Sequence, residues 1–250
     1  MKPAAGSHKA AQQTGQDVAA DTEWSPELLK TRVYDRMLLD LILGVLAPGA
    51  RLDEQELVHR YDAGLAGVRD ALGRLALEGL VVRRARSGTT VAPLDLIEAR
   101  QAFEARGLIE PHCAVLAAQN AGPEDIAAMR GAFVGAKAAV ARRDTRALVV
   151  MDQRFHAAIA RATRNATLAR IVIPLQHKAA RFWVFSMAGD EGAKQLVDID
   201  EHIALIDHIE RHDGEAARAA MLGLLGLPSE EVARAVSSAP STTALTAMPR

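Results

Sequence analysis

Apolar positions in this chain fall at helical spacing almost throughout, with one exception near the end of the first third. Leu28, Val33, Met37, Leu38, Ile42 and Val45 recur at three- and four-residue intervals, the period that lays them on one face of a helix. Ser25-Pro26-Glu27 offers a cap, a proline at the first helical position and an acid in the first turn, so the helix is expected to start there and to stop before Pro48-Gly49. A second helix follows Asp53 as its cap and turns Leu57 and Val58 inward. A third runs from about Gly64 to Glu78, with Val68, Leu72, Leu75 and Ala76 on its inner face and Gly79 as its stop. The exception comes next. Val81-Val82 and Thr89-Thr90-Val91 are β-rich and flank a polar turn at Ser87-Gly88, which predicts a hairpin.

Ala92-Pro93-Leu94-Asp95 then reads as a linker, and everything after it is helical again. The expected helices are 95–120, 123–142, 144–163, 167–187, 190–212 and 214–236, broken at Gly122-Pro123, Arg143-Asp144, Asn165, Gly189 and Asp213-Gly214. Pro111 falls inside the first of them and is expected to kink it or to sit at its bend. Residues 1–23 and 237–250 lack an apolar period and are expected to be a disordered arm and tail. The fold class is therefore mainly α. A winged helix-turn-helix over 24–92, a linker at 93–95 and an all-α six-helix domain over 96–236 make up the ordered chain.

Composition changes this picture little. With 49% apolar and only 4% aromatic residues, the chain suits packed helices more than sheets. The net charge of −1 supplies no global attraction to nucleic acid. Even the stretch from Pro26 to Asp95 holds ten Lys/Arg and ten Asp/Glu, so any DNA contact depends on locally placed charge, chiefly Arg69, Arg83, Arg84 and Arg86. The single cysteine, Cys113, excludes an intramolecular disulfide framework and reads as a small buried hydrophobe. No apolar run has the length of a membrane span and no signal-peptide core opens the chain, so a soluble, cytoplasmic protein with no membrane partner is expected.

Two clusters carry candidate chemistry. The order turn, helix, helix, hairpin is that of a winged helix-turn-helix, whose second helix enters the DNA major groove. In the helical half, Asp152 and His156 stand at i and i+4 on one helical face, and His202 opens the apolar stripe of another helix. A carboxylate with imidazoles suits Zn²⁺ or Ni²⁺ better than Mg²⁺, although the same spacing also occurs in ordinary core or surface pairs.

The stretch Pro48-Gly49, Val68-Arg69-Asp70-Ala71-Leu72, Leu75, Gly79-Leu80, Gly88 and Val91 resembles the GntR family of bacterial transcription regulators over about 65 residues. The second half is similar to the FadR-type C-terminal domain, called FCD, through Arg106, Glu110-Pro111, Leu116-Ala117-Ala118, Asp152, Phe155-His156, Asn165, Leu168, Glu201-His202 and Ile206. The resemblance implies a homodimeric, effector-responsive regulator, a repressor in the first instance, on a double-stranded DNA operator. It implies DNA contacts from Arg69 and from a wing of Arg84, Arg86, Ser87, Gly88 and Thr89. Arg106 is expected to face the pocket and meet a carboxylate effector, and Asp152, His156 and His202 are expected to hold a divalent metal.

This sequence departs from the family in two places. The Ser-Arg-Thr-Pro that usually opens the reading helix is replaced by Gly64-Leu65-Ala66-Gly67, removing capping hydroxyls and an arginine. The last metal histidine of the family is replaced by Leu224, leaving three ligands. Two other readings stay open beside the regulator: a ligand-sensing homodimer with weakened or lost DNA binding, and a metal-dependent enzyme using the same three ligands.

Overall fold

The computed structural model describes residues 26–86, 88–186 and 199–226. The expected arm and tail, the Ser25 cap, Ser87 at the wing turn, and the stretches 190–198 and 227–236 of two expected helices lie outside them.

The first helix, α1 (Pro26–Ile42), buries Val33, Tyr34, Met37, Leu41 and Ile42. It ends three residues before Val45, because Gly44 takes a positive φ of +72°, and Val45 is left 51% exposed rather than on the inner face. α2 (Glu54–Tyr61) begins at Asp53, whose carboxylate accepts from the backbone N–H groups of Gln55 at 2.8 Å and Glu56 at 3.1 Å. This satisfies two of the donors that a helix start leaves open. α3 (Leu65–Leu77) starts at Gly64, which has no side chain to do the same, and buries Val68, Ala71, Leu72 and Leu75 against α1. Beyond the helices the expected hairpin forms, from β2 (Val81–Arg84) and β3 (Gly88–Val91). A further strand joins it: β1 (Arg51–Leu52) pairs antiparallel with β3, giving the order β1-β3-β2. Two residues are too few to carry an alternation, so nothing in the pattern marked β1.

The helical half contains α4 (Leu96–Asn120), α5 (Pro123–Gly131), α6 (Ala136–Ala141), α7 (Thr145–Ala162), α8 (Ala166–Ser186), α9 (Ile199–Glu210) and α10 (Gly214–Leu224). The single helix expected over 123–142 is thus two. The chain turns at Phe133, which is buried, and Gly135 takes φ +82°, a conformation that ends α-helical propagation at little cost only for glycine. Asp95, Asp144 and Asp213 cap α4, α7 and α10. α4 continues through Pro111, which is buried.

Two large apolar cores result. One sits among α1, α3 and the sheet around Met37, Leu72 and Leu75; the other sits among α4, α7, α9 and α10 around Phe155, Leu205 and Ile206. Cys113 belongs to the second, and burial pushes its thiol up to about 11, so it is an inert packing residue as expected. A small third cluster joins the halves, with Ile42 of α1 against Val149 of α7 and Ala180 of α8.

Candidate metal centre and nucleic-acid interface

Two helices bring Asp152, His156 and His202 together, with one ligand atom of each within 4.8 Å of the others. α7 supplies Asp152 and His156 one turn apart on its inner face, and α9 supplies His202. Both imidazoles aim Nε2 at the same carboxylate oxygen, His156 at 3.5 Å and His202 at 3.7 Å from Asp152 Oδ1. Those separations are long for hydrogen bonds. They are close to the spacing of about 3.4 Å between donor atoms arranged tetrahedrally around an ion with bonds near 2.1 Å. The donor set and its spacing therefore fit a divalent metal. Phe155 and Phe133 hold the His202 ring, with centroids 4.9 and 5.0 Å away.

Behind these residues stands a group that sequence reasoning did not single out. Glu110 of α4 is 1% exposed, and its Oε2 lies 2.8 Å from His156 Nδ1. A carboxylate on one ring nitrogen keeps a proton there, so that a metal displacing the proton of the other nitrogen would meet its lone pair. Its partner on the far side is Arg106, one turn earlier on α4, whose Nε donates to Glu110 Oε1. The result is a continuous line of polar groups from Arg106 through Glu110, His156 and Asp152 to His202.

Burial alone opposes ionisation along this line, and the paired charges outweigh it. Glu110 is lowered to about 2 by Arg106 and His156 despite its burial. His156 is raised to about 9 by Glu110 and Asp152, again against burial. Asp152 is held well below the ordinary carboxylate range by the two imidazoles. A cavity of about 100 Å³ adjoins the three ligands and is lined also by Phe103, Arg106, Ala180, Trp183, Glu201, Leu224 and Leu225. Arg106 thus lies in the cavity wall, with its Nε committed to Glu110. Leu224 also lies in this wall.

On the winged half the residues expected to meet DNA differ in exposure and pairing. Arg69 projects from α3 with its side chain 58% exposed, yet its Nε donates to Glu54 Oε2 at 2.7 Å. Arg84 and Arg86 are exposed at the wing, and Arg86 takes φ +65° in its turn. Thr89, expected to touch DNA, is 7% exposed. It lies in the central strand opposite Leu52 and Arg83, with its side chain on the packed face of the sheet.

Both halves match known families. Residues 29–91 match the gntR family of bacterial regulatory proteins, and residues 101–226 match the FCD domain. The chain belongs to the GntR family, in its FCD branch. Its relatives include the galactonate operon transcriptional repressor of Escherichia coli strain K12, 27% identical over 76% of this chain and 93% of that protein. Another is a probable D-xylose utilization operon transcriptional repressor of Paenarthrobacter nicotinovorans, 28% identical over 76% of this chain and 83% of its own length. Among solved structures, E. coli McbR/YncC shares the fold with a TM-score of 0.67 at 19% identity, over 84% of this chain and 97% of that one. The protein is a DNA-binding transcription regulator with an effector-binding FCD domain, and not an enzyme.

Within this GntR regulator one helix serves both halves. α8 lines the FCD cavity with Ala180 and Trp183. From the same helix, His177 Nδ1 meets Glu78 Oε2 of the winged half at 2.7 Å, and Arg181 donates to the carbonyl of Ala92. His177 is 8% exposed, because Glu78, 99 residues away in sequence, turns it into an interdomain contact. His212 does make a helix-end contact, its Nδ1 2.6 Å from the carbonyl of Ala118.

Proposed function

We propose that this GntR regulator is a homodimeric repressor that senses a small carboxylate in its FCD cavity, with Zn²⁺ or Ni²⁺ held by Asp152, His156 and His202. The observation that carries the reading is the double role of α8. A ligand that shifts Ala180 and Trp183 acts on the helix that grips Glu78, the residue immediately after the reading helix. The metal, when bound, supplies open coordination positions that favour a carboxylate, since three protein ligands meet there among the described residues and the apolar Leu224 lies in the cavity wall. Glu110 orients His156, Arg106 holds Glu110, and the remaining guanidinium N–H groups of Arg106 are available to the cavity. The runner-up is a sensor that has lost DNA binding. It is favoured by the uncapped helix start at Gly64 and by the pairing of Arg69 with Glu54.

Selection of bound duplexes from a randomised pool decides between them. It is run at low salt, because phosphate contacts weaken steeply as salt rises, with and without zinc or nickel. Enrichment of a near-palindrome, matching two-fold protein symmetry, supports the regulator reading. Absence of enrichment in every condition, with the dimer intact, supports the sensor instead.

A further inference from the structure

Arg83 and Arg84 are neighbours in sequence and opposites in space. β2 pairs with β3 so that Arg83 faces Thr89 and Arg84 faces Gly88. Strand alternation therefore groups Arg83 with Val81 and the buried Thr89 on the packed face, and Arg84 with Val82 on the other. The packed face of β2 looks toward α3.

On α3, the exposed stripe runs through Ala66, Arg69, Asp70, Arg74 and Leu77, with Gly73 half-buried among them. This is the stripe a winged helix turns toward the major groove. Its own cations are spoken for. Arg69 is paired with Glu54, and Arg74 stacks over the Tyr34 ring at 3.7 Å. Gly73, in the middle of the stripe, has no side chain, and Arg83 Nη1 lies 4.0 Å from the point a Cβ there would occupy. Arg83 is exposed, and its side chain makes no hydrogen bond or ion pair among the described residues.

We infer that Arg83 is a base-reading residue of this regulator, its guanidinium entering the major groove beside α3 at Gly73 and taking the hydrogen-bonding edge of a guanine. The inference rests on the regulator reading above. A planar guanidinium presents two parallel donors that match guanine O6 and N7, which a lysine ammonium does not. Ala66 and Gly73 keep the helix surface low, so the strand arginine reaches base edges that a larger residue at 73 would cover. Arg84, on the opposite face, contributes nothing to sequence choice. The reading code lost from the start of α3 is thereby carried in part by the first wing strand.

The test uses the full chain and the duplex enriched with wild-type protein, assayed against single-base-pair variants of each half-site. Arg83→Ala is expected to weaken binding to the preferred duplex about tenfold to a hundredfold and to erase preference at one base pair per half-site. Arg83→Lys restores charge and salt dependence but not that preference, and Arg84→Ala leaves base preference intact. A uniform loss across all duplexes for Arg83→Ala, with the salt slope reduced by about one, makes Arg83 a phosphate contact and overturns the inference. So does an unchanged base preference, or a relaxed one in Arg84→Ala. If the wild type enriches no duplex, the regulator reading falls together with this one; loss of the Arg83 effect alone leaves that reading standing.

Discussion

His177 Nδ1 lies 2.7 Å from Glu78 Oε2, and through that contact the helix lining the effector cavity touches the end of the DNA-reading helix. Tyr34 OH donates to the same carboxylate from α1, and Arg74 covers the Tyr34 ring, so Glu78 gathers three elements at one point. The His177 and Glu78 side chains are 10% and 14% exposed. Replacing His177 with Ala leaves a mostly buried carboxylate short of a partner, which costs about 1–3 kcal/mol. Urea denaturation is expected to show that loss, while metal or effector no longer changes operator affinity as much as in wild type. Full stability together with full ligand response in the variant would show that the contact couples nothing.

The same carboxylate gives a pH dependence of known sign. Burial pushes Glu78 up, but His177, Tyr34 and Arg74 outweigh it and the carboxyl is held below its usual value of 4.5. A group with a depressed folded pKa stabilises fully above its unfolded value and loses that contribution as pH falls through the folded one. The stability difference between wild type and Glu78→Gln is therefore expected to stay constant from neutral pH down to about 5 and to shrink at lower pH. Denaturation curves of both proteins across that range check it, and a difference that grows with acid contradicts the assignment.

Parts of the site could be seen in the chain and parts could not, for reasons of distance. Asp152 and His156 are one helical turn apart, so spacing alone put them on one face. Glu110 reaches His156 only through the packing of α4 on α7, and no local pattern announces that. His177 likewise meets Glu78 across 99 residues of sequence, which no local pattern marks. In the winged half the helices followed from apolar spacing, whereas β1 was too short to have a period. Arg83 and Arg84 read as one basic run until pairing with β3 separated them to opposite faces.

Glu110→Gln tests the support behind the metal ligands. A carboxylate that orients a ligating imidazole contributes tenfold to a hundredfold in metal affinity. Competition with a chromophoric chelator is expected to show zinc binding weakened by about that factor, at unchanged stoichiometry, and His156→Ala is expected to weaken it further. Equal zinc affinity in wild type and Glu110→Gln contradicts the orienting role. Absence of zinc binding in wild type contradicts the metal centre itself.

Phe155 is fully buried and its ring lies 4.9 Å from that of His202, so it serves both core and site. Phe155→Ala is expected to cost about 3–5 kcal/mol, read by chemical denaturation. Phe155→Leu keeps most of the volume and is expected to cost less, while still loosening His202 and weakening zinc binding. If Phe155→Leu leaves zinc affinity untouched, the ring packs the core without positioning the histidine.

The pairing of Arg69 with Glu54 sets a last expectation, because it holds an outward arginine of the reading helix against an acid. Both side chains are partly solvated, at 58% and 28% exposure, so the pair itself is worth roughly 0–1 kcal/mol. Glu54→Gln should consequently leave the melting temperature nearly unchanged. On DNA the balance differs, since a phosphate-lined groove repels Glu54 and competes for Arg69. Removing the acid both lifts that repulsion and frees the guanidinium. Operator affinity is expected to rise severalfold, with a steeper dependence on salt as Arg69 takes up a phosphate. Titrations at several salt concentrations separate the two effects: repulsion alone raises affinity across all duplexes, whereas a freed Arg69 that reads a base also sharpens preference at one position. Unchanged affinity in Glu54→Gln would mean that Arg69 stays away from the DNA, leaving the sheet arginines to carry the contact.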